Sequence, residues 1–495
     1  YEDKDNDGYY EVTIGGEGGI VANSNSNNLF SYIGYSVENQ EVTIAGLNNL
    51  ETGLTTNMSY MFRECKASSL DVNSLNTENV TDMGNMFNNC SNLTSLDINN
   101  FNIRKVTSLQ ATFAGCANLI TLEISDLDTS NVVKMGTGGI DAGNVGTFQG
   151  CSKLTQLDLS KWDTSNVTVM GAMFRGCSSL IALDLSNFDT SKVTCMYAMF
   201  SGCTNLQNID MQNFNTSNVT IMQSMFNSCS SLTELDLSRF NTSKVINMSQ
   251  MFNGCKKILE LDLSNFNTSN VKDMSQMFIY CSNLIQLNVS SFNTSTATTM
   301  YCMFSECSSL KVLDVSSFDT SNVKIMQRMF YGCTELTNLY LNKTIFNTSN
   351  VTNMGSMFDG CSDLTDLDVS SFNTNNVTNM GNMFNGCSSL TDLDVSNFDT
   401  SNVTSMRAMF RQCSKLTSLD LSNFNTDKVT DMWYMFYSDS ALEELDITNF
   451  NVENVTDWTS MFVSVPTTIQ ITTNQNTANW IKENFPDYEN SIIVK

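Results

Sequence analysis

The sequence predicts a repeat solenoid with one parallel β-sheet of short strands, helical or irregular return segments, and a cap at each end. Three observations predict this fold class. A phrase of about 26 residues recurs along the chain, the spacing of apolar residues changes within each repeat, and the same residue types recur at most apolar positions of successive repeats. Fixed periods of about 20 to 50 residues are typical of stacked units that cannot bury an apolar face alone.

Sixteen aligned phenylalanines mark the repeat. Twelve of the fifteen intervals between them are 26 residues, and the others, at 25, 35 and 28, indicate one deletion and two insertions in loops. We therefore expect a cap over residues 1–56, a solenoid of about 15–16 rungs over 57–462, and a cap over 463–495. The aligned residues are Phe62, Phe87, Phe113, Phe148, Phe174, Phe200, Phe226, Phe252, Phe278, Phe304, Phe330, Phe358, Phe384, Phe410, Phe436 and Phe462.

Each rung contains two different periods, as residues 167–188 illustrate. Spacings of three and four, typical of one face of a helix-like turn, join Val167, Met170, Met173, Phe174, Cys177 and Leu180. Leu183 and Leu185 then alternate with Asp184, which predicts a short strand with leucines inward and aspartate outward. The polar stretch that follows favours a turn back to the next rung.

Methionine and cysteine form their own columns. Of 29 methionines, 28 fall in the two columns before the aligned Phe, the exception being Met211. We interpret them as flexible core packing rather than soft ligands of a copper or redox relay. Fourteen of the 16 cysteines lie three residues after the Phe, and Cys195 and Cys302 lie elsewhere. No C-x-x-C occurs, which favours buried reduced thiols, although stacked rungs bring neighbouring α-carbons within disulfide range.

The outward position of the strand is acidic in thirteen of fifteen rungs. Neighbouring carboxylates about 5 Å apart repel by roughly 0.8 kcal/mol even in water, so something must offset the repulsion. One interpretation is that each aspartate accepts hydrogen bonds from the adjacent rung. The other is an acidic stripe that collects cations or a basic partner.

Two residues earlier, a second outward column varies from rung to rung. Positions that the stack does not dictate are free to encode recognition, so we expect a binding face along both columns, with a mixed solvated surface as the alternative. The candidate binding residues are Asp158, Asp184, Asp210, Asp236 and Asp262 in the first column and Asn208, Glu234, Glu260 and Gln286 in the second. A row of turn threonines, such as Thr190, is explained by turn hydrogen bonding better than by ice binding.

The composition excludes several classes of function. The formal charge of −26 disfavours nucleic acid and anionic membranes as partners. No run of about 18 apolar residues predicts a membrane-spanning helix. Histidine is absent, which removes the commonest general base and metal ligand. Because the acids recur at repeat spacing rather than in a unique cluster, we expect no enzyme and no required cofactor.

The repeated phrase "MFxxCSxLxxLDLSxFxTSxVxxM" resembles the BspA-type leucine-rich repeats of bacterial surface proteins, in the 26-residue variety also seen in surface lipoproteins. Leu154, Leu157 and Leu159 match the strand signature L-x-x-L-x-L. The resemblance covers about residues 57–462 and implies export, surface display and adhesion to host or neighbouring-cell components. Phe or Trp162 replaces the usual Asn or Cys after the strand, so the standard horseshoe is not carried over.

The ends break the period. Residues 9–14 and 40–47 look like strands that cover the first rung, residues 477–486 like a short helix, and the last five residues like a closing strand. "DKDNDG" resembles half of a calcium loop, and the candidate ligands are Asp3, Asp5, Asp7 and Glu11. The twelfth loop position is Ile14 rather than Glu, so a solvated acidic terminus is the alternative. The glycine-rich insertion 136–147 should bulge from one edge.

These expectations combine into one functional prediction. We expect a non-catalytic secreted or cell-surface protein that binds a protein or glycan on a host or neighbouring cell. The alternative is a structural protein that self-assembles into a surface layer or filament.

Overall fold

The structure is a computed structural model and describes residues 10–13, 19–35, 42–139 and 145–495, with the backbone alone for 10–13. The chain divides into two compact units, Tyr1–Val245 and Ile246–Lys495. Each unit is a parallel β-solenoid with the character of a leucine-rich repeat, and the chain makes about 17 turns with little helix. The predicted fold class is thereby confirmed, whereas the division into two caps and a central solenoid at the stated residues stays a prediction.

Short strands and one helix make up the regular structure of the described residues. The first unit contains β1 (Tyr10–Thr13), β2 (Ile20–Val21), β3 (Val42–Ala45), β4 (Leu50–Glu51), β5 (Ser95–Asp97), β6 (Thr121–Glu123), β7 (Ala182–Asp184) and β8 (Asn208–Asp210). The second unit contains β9 (Glu260–Asp262), β10 (Gln286–Asn288), β11 (Val312–Asp314), β12 (Asn338–Tyr340), β13 (Ser418–Asp420), β14 (Glu444–Ile447), β15 (Gln470–Thr473), α1 (Gln475–Asn484) and β16 (Ile492–Val494). Two 3₁₀ turns, Leu47–Asn49 and Pro486–Ser491, complete the set.

The strands of successive rungs pair in parallel and in register, and we call this part of each rung the strand side. In β7 and β8, Ala182 lies opposite Asn208 and Asp184 opposite Asp210. Leu183 is buried between exposed neighbours, as its alternation predicted. Residues 156–158, 234–236, 366–368 and 392–394 form no assigned strand, yet their outer two residues are exposed and their central leucine less so. The same inward and outward alternation therefore continues through them.

The return segment is irregular rather than helical. In the rung of Phe174, the N–H groups of Ala172, Phe174 and Gly176 donate to carbonyl oxygens of the next rung at 2.7–2.9 Å. The alternate N–H groups donate to the carbonyl three residues earlier in their own rung. Ala172 and Gly176 have φ angles of 59° and 74°, in the left-handed region. Because these angles break the right-handed path, the backbone bonds neighbouring rungs instead of forming a helix.

Aromatic rings and threonine hydroxyls stack the rungs on one another. Phe278 and Phe304 are fully buried, with ring centroids 5.5 Å apart and planes within 4° of parallel. At the opposite corner, Thr190 Oγ1 donates to the carbonyl oxygen of Asn215 at 3.0 Å and accepts from its N–H at 2.8 Å. Thr190 is fully buried. The threonine row therefore joins rungs inside the stack and offers no surface to ice.

All sixteen cysteines are buried and unpaired in the structure, and the interpretation as reduced thiols stays a prediction. Cys177 Sγ donates to the carbonyl oxygen of Phe148 in the preceding rung, with sulfur and oxygen 3.1 Å apart. Burial raises the pKa of the thiols of Cys203, Cys281 and Cys333 to about 12. The column thus supplies a small apolar side chain and a hydrogen-bond donor at one position.

A further turn precedes the first aligned Phe. Phe30 stacks on Phe62 with ring centroids 5.3 Å apart, and its N–H donates to the carbonyl oxygen of Met61 at 2.7 Å. This turn lacks the repeat signature, because Leu29 replaces the usual Met and an insertion follows. The expected strands 9–14 and 40–47 are present as β1 and β3, which pair in parallel.

The carboxyl-terminal segment closes the last rung. Helix α1 begins after Asn474, whose side chain accepts from Thr477 N–H at 3.0 Å, and the predicted helix and closing strand are confirmed as α1 and β16. Phe485 and Tyr488 pack on the ring of Phe462 with centroids 5.0 Å and 5.2 Å away. These rings shield the end of the phenylalanine stack. In the part of the chain that the structure describes, no helix is long and apolar enough to cross a membrane.

Candidate binding surfaces

The strand side carries all nine candidate binding residues, and all are exposed. In the first unit, Asp184 and Asp210 occupy directly opposite positions in β7 and β8. In the second unit, Glu260 and Gln286 are opposite each other in β9 and β10. The two outward columns therefore run side by side on the surface of each unit. The remaining members are Asp158, Asp236, Asp262, Asn208 and Glu234.

Each aspartate of this column is held by its own rung, which corrects the expectation that the adjacent rung provides the main partners. Asp184 Oδ1 accepts from the N–H of Ser186 at 2.9 Å, and Asp210 Oδ1 accepts from the N–H of Gln212 at 3.0 Å. The strand ends at the aspartate. The short side chain of the aspartate reaches the backbone N–H of the residue two positions later, as in an Asx turn. The adjacent rung contributes at Asp262, whose Oδ1 accepts from Asn288 Nδ2 at 3.0 Å.

At several positions of the column, these hydrogen bonds favour the charged form of the aspartate. The hydroxyl of Ser186, with its backbone N–H, lowers the pKa of Asp184. The hydroxyls of Ser160 and Ser238 act in the same way on the pKa values of Asp158 and Asp236. Hydrogen bonds to the charged form of a carboxyl favour that form. The strand side therefore presents fixed, oriented negative charges to solvent.

The candidate calcium ligands lie outside the residues whose side chains the structure describes. Asp3, Asp5 and Asp7 lie outside the described residues, and Glu11 lies in β1, of which the backbone alone is described. Among the described residues, no group of three or more Cys, Asp or Glu side chains could hold a metal ion. Residues 140–144 of the glycine-rich insertion also lie outside the described ranges.

The return side carries a second kind of surface, which the sequence reasoning missed. We define the return side as the positions three and two residues before, and one and two residues after, each aligned Phe. It holds five of the seven arginines, namely Arg63, Arg175, Arg328, Arg407 and Arg411. Four of these lie over tyrosine or tryptophan rings. The sequence signal for this surface is the variation of residue type at these positions, which lie among the constant Met, Phe and Cys columns.

Exposed columns on a capped parallel β-solenoid define the class of this protein as a leucine-rich-repeat-like repeat protein. The chain belongs to the family described as "Mycoplasma protein of unknown function, DUF285". The family model matches residues 30–140, 144–261, 258–364, 310–398, 337–419 and 390–492, which together span most of the chain. No curated protein matches the chain.

Several solved bacterial structures resemble the chain in fold. A leucine-rich repeat protein from Eubacterium ventriosum is 18% identical with a TM-score of 0.37, covering 68% of this chain and 87% of its own. One from Bacteroides ovatus is 17% identical with a TM-score of 0.33, covering 62% and 88%. A leucine-rich cell surface protein from Faecalibacterium prausnitzii is 16% identical with a TM-score of 0.31, covering 64% and 84%. At TM-scores this low, these likenesses carry no functional inference.

Proposed function

We propose that the chain is a non-catalytic binding protein that recognises a protein or glycan partner through the strand side of its rungs. The observation that carries the proposal is the pair of exposed, in-register outward columns. One column fixes negative charge and the other varies its chemistry from rung to rung, as at Glu260 opposite Gln286. A partner with a basic contact surface fits such a column best, since complementary charge steers encounter and fixes register.

Recognition without catalysis fits the distribution of the acids. Several carboxylates of the strand side accept a hydrogen bond from a neighbouring N–H group and have a lowered pKa, as Asp184 does with Ser186. A general acid or base working near neutral pH needs the opposite shift for a carboxyl group. Repetition along many rungs also suits an extended contact better than one reaction centre.

We further propose a location outside the cell, as a secreted or surface-displayed adhesin of the BspA type. The resemblance of the repeat supports this, and the cysteines are compatible with it. Reaction of a thiol requires thiolate and access, and burial suppresses both at residues such as Cys203, whose pKa is raised to about 12. The column can therefore stay reduced where disulfides would otherwise form.

The alternative of a surface layer or filament predicts open-ended growth. The packing of Phe485 and Tyr488 on Phe462 covers the end of the phenylalanine stack, which favours a discrete particle over end-to-end stacking. Size-exclusion chromatography with light scattering distinguishes the two. A constant mass across concentration supports the adhesin, and a mass that grows with concentration supports assembly.

We also propose that the amino-terminal acids bind calcium in a partial loop. Asp3, Asp5, Asp7 and Glu11 supply oxygen donors of the kind that calcium prefers. Calcium titration followed by thermal unfolding tests this proposal on the wild type and on Asp5→Ala. A calcium-dependent rise in melting temperature in the wild type, lost in Asp5→Ala, supports it, and equal responses oppose it.

Charge reversal tests the strand side directly. Glu260→Lys and Glu234→Lys each place a positive charge in the variable column, and both residues are exposed. Wild type and variants are used as bait for host and bacterial extracts, with and without calcium, and captured proteins are compared. We expect loss of the captured partner with unchanged thermal unfolding.

Matched controls carry the same charge change outside the outward columns. Glu453→Lys serves for the second unit and Glu78→Lys for the first, because both residues lie exposed in corner turns. Normal capture by the strand-side variants, or equal loss in the controls, would remove the strand side as the recognition surface.

A further inference from the structure

Five residues of the second unit form an arginine–aromatic patch on the return side, consisting of Arg407, Arg411, Trp433, Tyr434 and Tyr437. Arg407 Cζ lies 3.7 Å from the centroid of the Trp433 ring. Arg411 Cζ lies 5.7 Å from the Tyr434 centroid and 5.4 Å from the Tyr437 centroid. The two tyrosine rings meet edge to face with centroids 4.7 Å apart. The aromatic rings thus hold both guanidinium groups in place.

The patch concentrates positive charge on a chain whose net charge is −26. Neither Arg407 nor Arg411 forms an ion pair with any carboxylate in the described ranges, whereas Arg63 and Arg104 each do. Asp359, which lies two rungs before Arg411 in the same column, interacts electrostatically with Arg411 but forms no ion pair with it, and its Oδ1 accepts from Asn385 Nδ2 at 2.7 Å. Guanidinium groups bind carboxylate, sulfate and phosphate through paired donors. The free donors of the patch therefore select an anionic group.

Two buried polar atoms beside the patch have no hydrogen-bond partner. These are Oδ1 of Asn385, an acceptor, and Nε of Arg411, a donor. The two residues occupy the same position, one after the aligned Phe, in successive rungs. Buried polar atoms are almost always paired. A hydroxyl group can pair with either atom, since it can accept from Nε–H and can donate to Oδ1.

A shallow groove of about 450 Å³ runs beside the patch across successive rungs. Its lining comprises Ser388, Gln412, Ser414, Ser438, Ser440 and Ser464, so small hydroxyls and one amide recur at the rung spacing. That spacing is about 4.8 Å, close to the length of one sugar unit in an extended polysaccharide. Gln412 directly follows Arg411 and Ser438 directly follows Tyr437, so groove and patch residues are neighbours along two successive rungs.

We propose that the arginine–aromatic patch and its serine-lined groove bind an acidic polysaccharide. The guanidinium groups take the anionic substituents, the rings of Trp433 and Tyr437 stack on the apolar faces of sugar rings, and the groove bonds the hydroxyls. A carboxylated and a sulfated polysaccharide share this chemistry. The site goes beyond the proposed strand-side recognition, because it lies on the return side and selects the opposite charge.

The test is calorimetric titration of the whole chain with oligogalacturonate, dextran sulfate, neutral dextran and poly-glutamate in 0.15 M salt. Charges further apart than about 8 Å are largely screened under these conditions, so the local patch decides binding. We expect saturable binding of one or both acidic polysaccharides and none of neutral dextran. The stronger of the two identifies the anionic substituent.

Variants locate the binding. Trp433→Ala and Arg407→Ala should each weaken polysaccharide affinity at least about tenfold, as expected for hot-spot side chains. Ser440→Glu, which adds a negative charge to the groove, should also weaken it. Tyr280→Ala and Arg328→Ala remove comparable return-side residues outside the patch and should leave affinity unchanged. Thermal unfolding confirms that each variant is folded.

Several results would overturn the proposal. The first is the absence of saturable binding to both acidic polysaccharides, and the second is equally tight binding of neutral dextran. The third is normal polysaccharide affinity in the Trp433 and Arg407 variants. The fourth is tighter binding of poly-glutamate, which would indicate that the partner of the patch is an acidic protein. Glu260→Lys separates this site from the strand side. It should lose the strand-side partner and keep polysaccharide affinity, so either proposal can fail while the other stands.

Discussion

The strand side of a rung and the cysteine position beside its return side belong to the same repeat, yet they treat a carboxyl group in opposite ways. Asp184 on the strand side is exposed, accepts from the N–H of Ser186, and has a lowered pKa. Asp439 takes the cysteine position directly after the return-side residues of its rung, is 1% exposed, and has a pKa raised well above its usual range by burial. The fold thus uses the strand side for display and the buried positions of the return segment for cohesion.

The difference shows where substitution is tolerated. On the return side, alternate N–H groups bond the next rung and the aromatic stack lies directly beneath, so most changes disturb two rungs at once. On the strand side, the outward residues bond mainly within their own rung or point to solvent. Recognition residues can therefore vary on the strand side with little loss of stability. The arginine–aromatic patch shows that exposed return-side positions also escape the constraint.

The largest expected effect comes from removing a ring of the stack. Phe304→Ala should lower the free energy of unfolding by about 3–5 kcal/mol, because Phe304 is fully buried between Phe278 and Phe330. Tyr340→Ala, on the strand side of the same unit and 52% exposed, should change it by less than about 0.5 kcal/mol. Denaturant unfolding measures both. Similar losses in the two variants would contradict the division of roles.

The next effect concerns Asp439, whose Oδ1 accepts from the N–H of Cys413 at 2.8 Å. Restoring the column with Asp439→Cys should stabilise the protein by about 1–3 kcal/mol at neutral pH, because it removes a buried carboxyl group. Burial raises the folded-state pKa of Asp439, so its stability is fully present below the unfolded pKa and falls as the pH rises. The advantage of the variant should therefore grow between about pH 4 and pH 7.

Thermal unfolding across this pH range tests the assignment, with Asp439→Asn as the control. Asparagine keeps an acceptor for Cys413 N–H but does not titrate, so its stability relative to wild type should show the same pH trend. A stability difference between wild type and Asp439→Asn that is constant from pH 4 to pH 7 would show that Asp439 titrates normally.

A smaller effect tests the left-handed positions of the return segment. Ser228 has a φ angle of 60°, at a position where eight other rungs place glycine. Ser228→Gly should stabilise by about 0.5–1 kcal/mol, because glycine adopts this region without a Cβ penalty. Ser231→Gly, three residues later and outside the left-handed region, should destabilise by a similar amount. Equal signs for the two changes would contradict the proposed strain.

Much of the fold could be predicted from the sequence, because the recurring residues show which positions of successive rungs lie opposite each other. The alternation at Leu183 and Leu185 predicted the strand, and the constant Phe column predicted the stack. The path of the return segment did not follow, since the spacing of Met170, Met173 and Phe174 suits a helix as well as a left-handed turn. Spacing reports which side chains point inward but not the sign of φ at Ala172. The sign of φ is decided by backbone hydrogen bonding to the next rung, which the spacing of apolar residues does not report.

The surfaces were harder to predict than the core for a related reason. The strand-side columns were found because Asp184 and its equivalents alternate with leucine. The partner of each aspartate was misassigned, because alternation places a side chain outward without telling whether its own rung or the next can reach it. The arginine–aromatic patch joins residues from adjacent rungs, such as Arg411 and Tyr437, that differ in type. A search for repeated residues passes over such a cluster.

The smallest expected effect returns to Asp184. Asp184→Asn keeps an oxygen that can accept from Ser186 N–H, so the free energy of unfolding at neutral pH should change by less than about 0.5 kcal/mol. The lowered pKa means that the carboxylate contributes stability above the unfolded pKa, near 3.9, and loses it as the pH falls through the folded pKa. Wild type should therefore lose stability relative to Asp184→Asn between about pH 5 and pH 2, the reverse of the trend at Asp439. Melting curves of both proteins at pH 5 and pH 2 test this expectation. If the wild type instead gained stability relative to Asp184→Asn on acidification, Ser186 would not stabilise the charged form of Asp184.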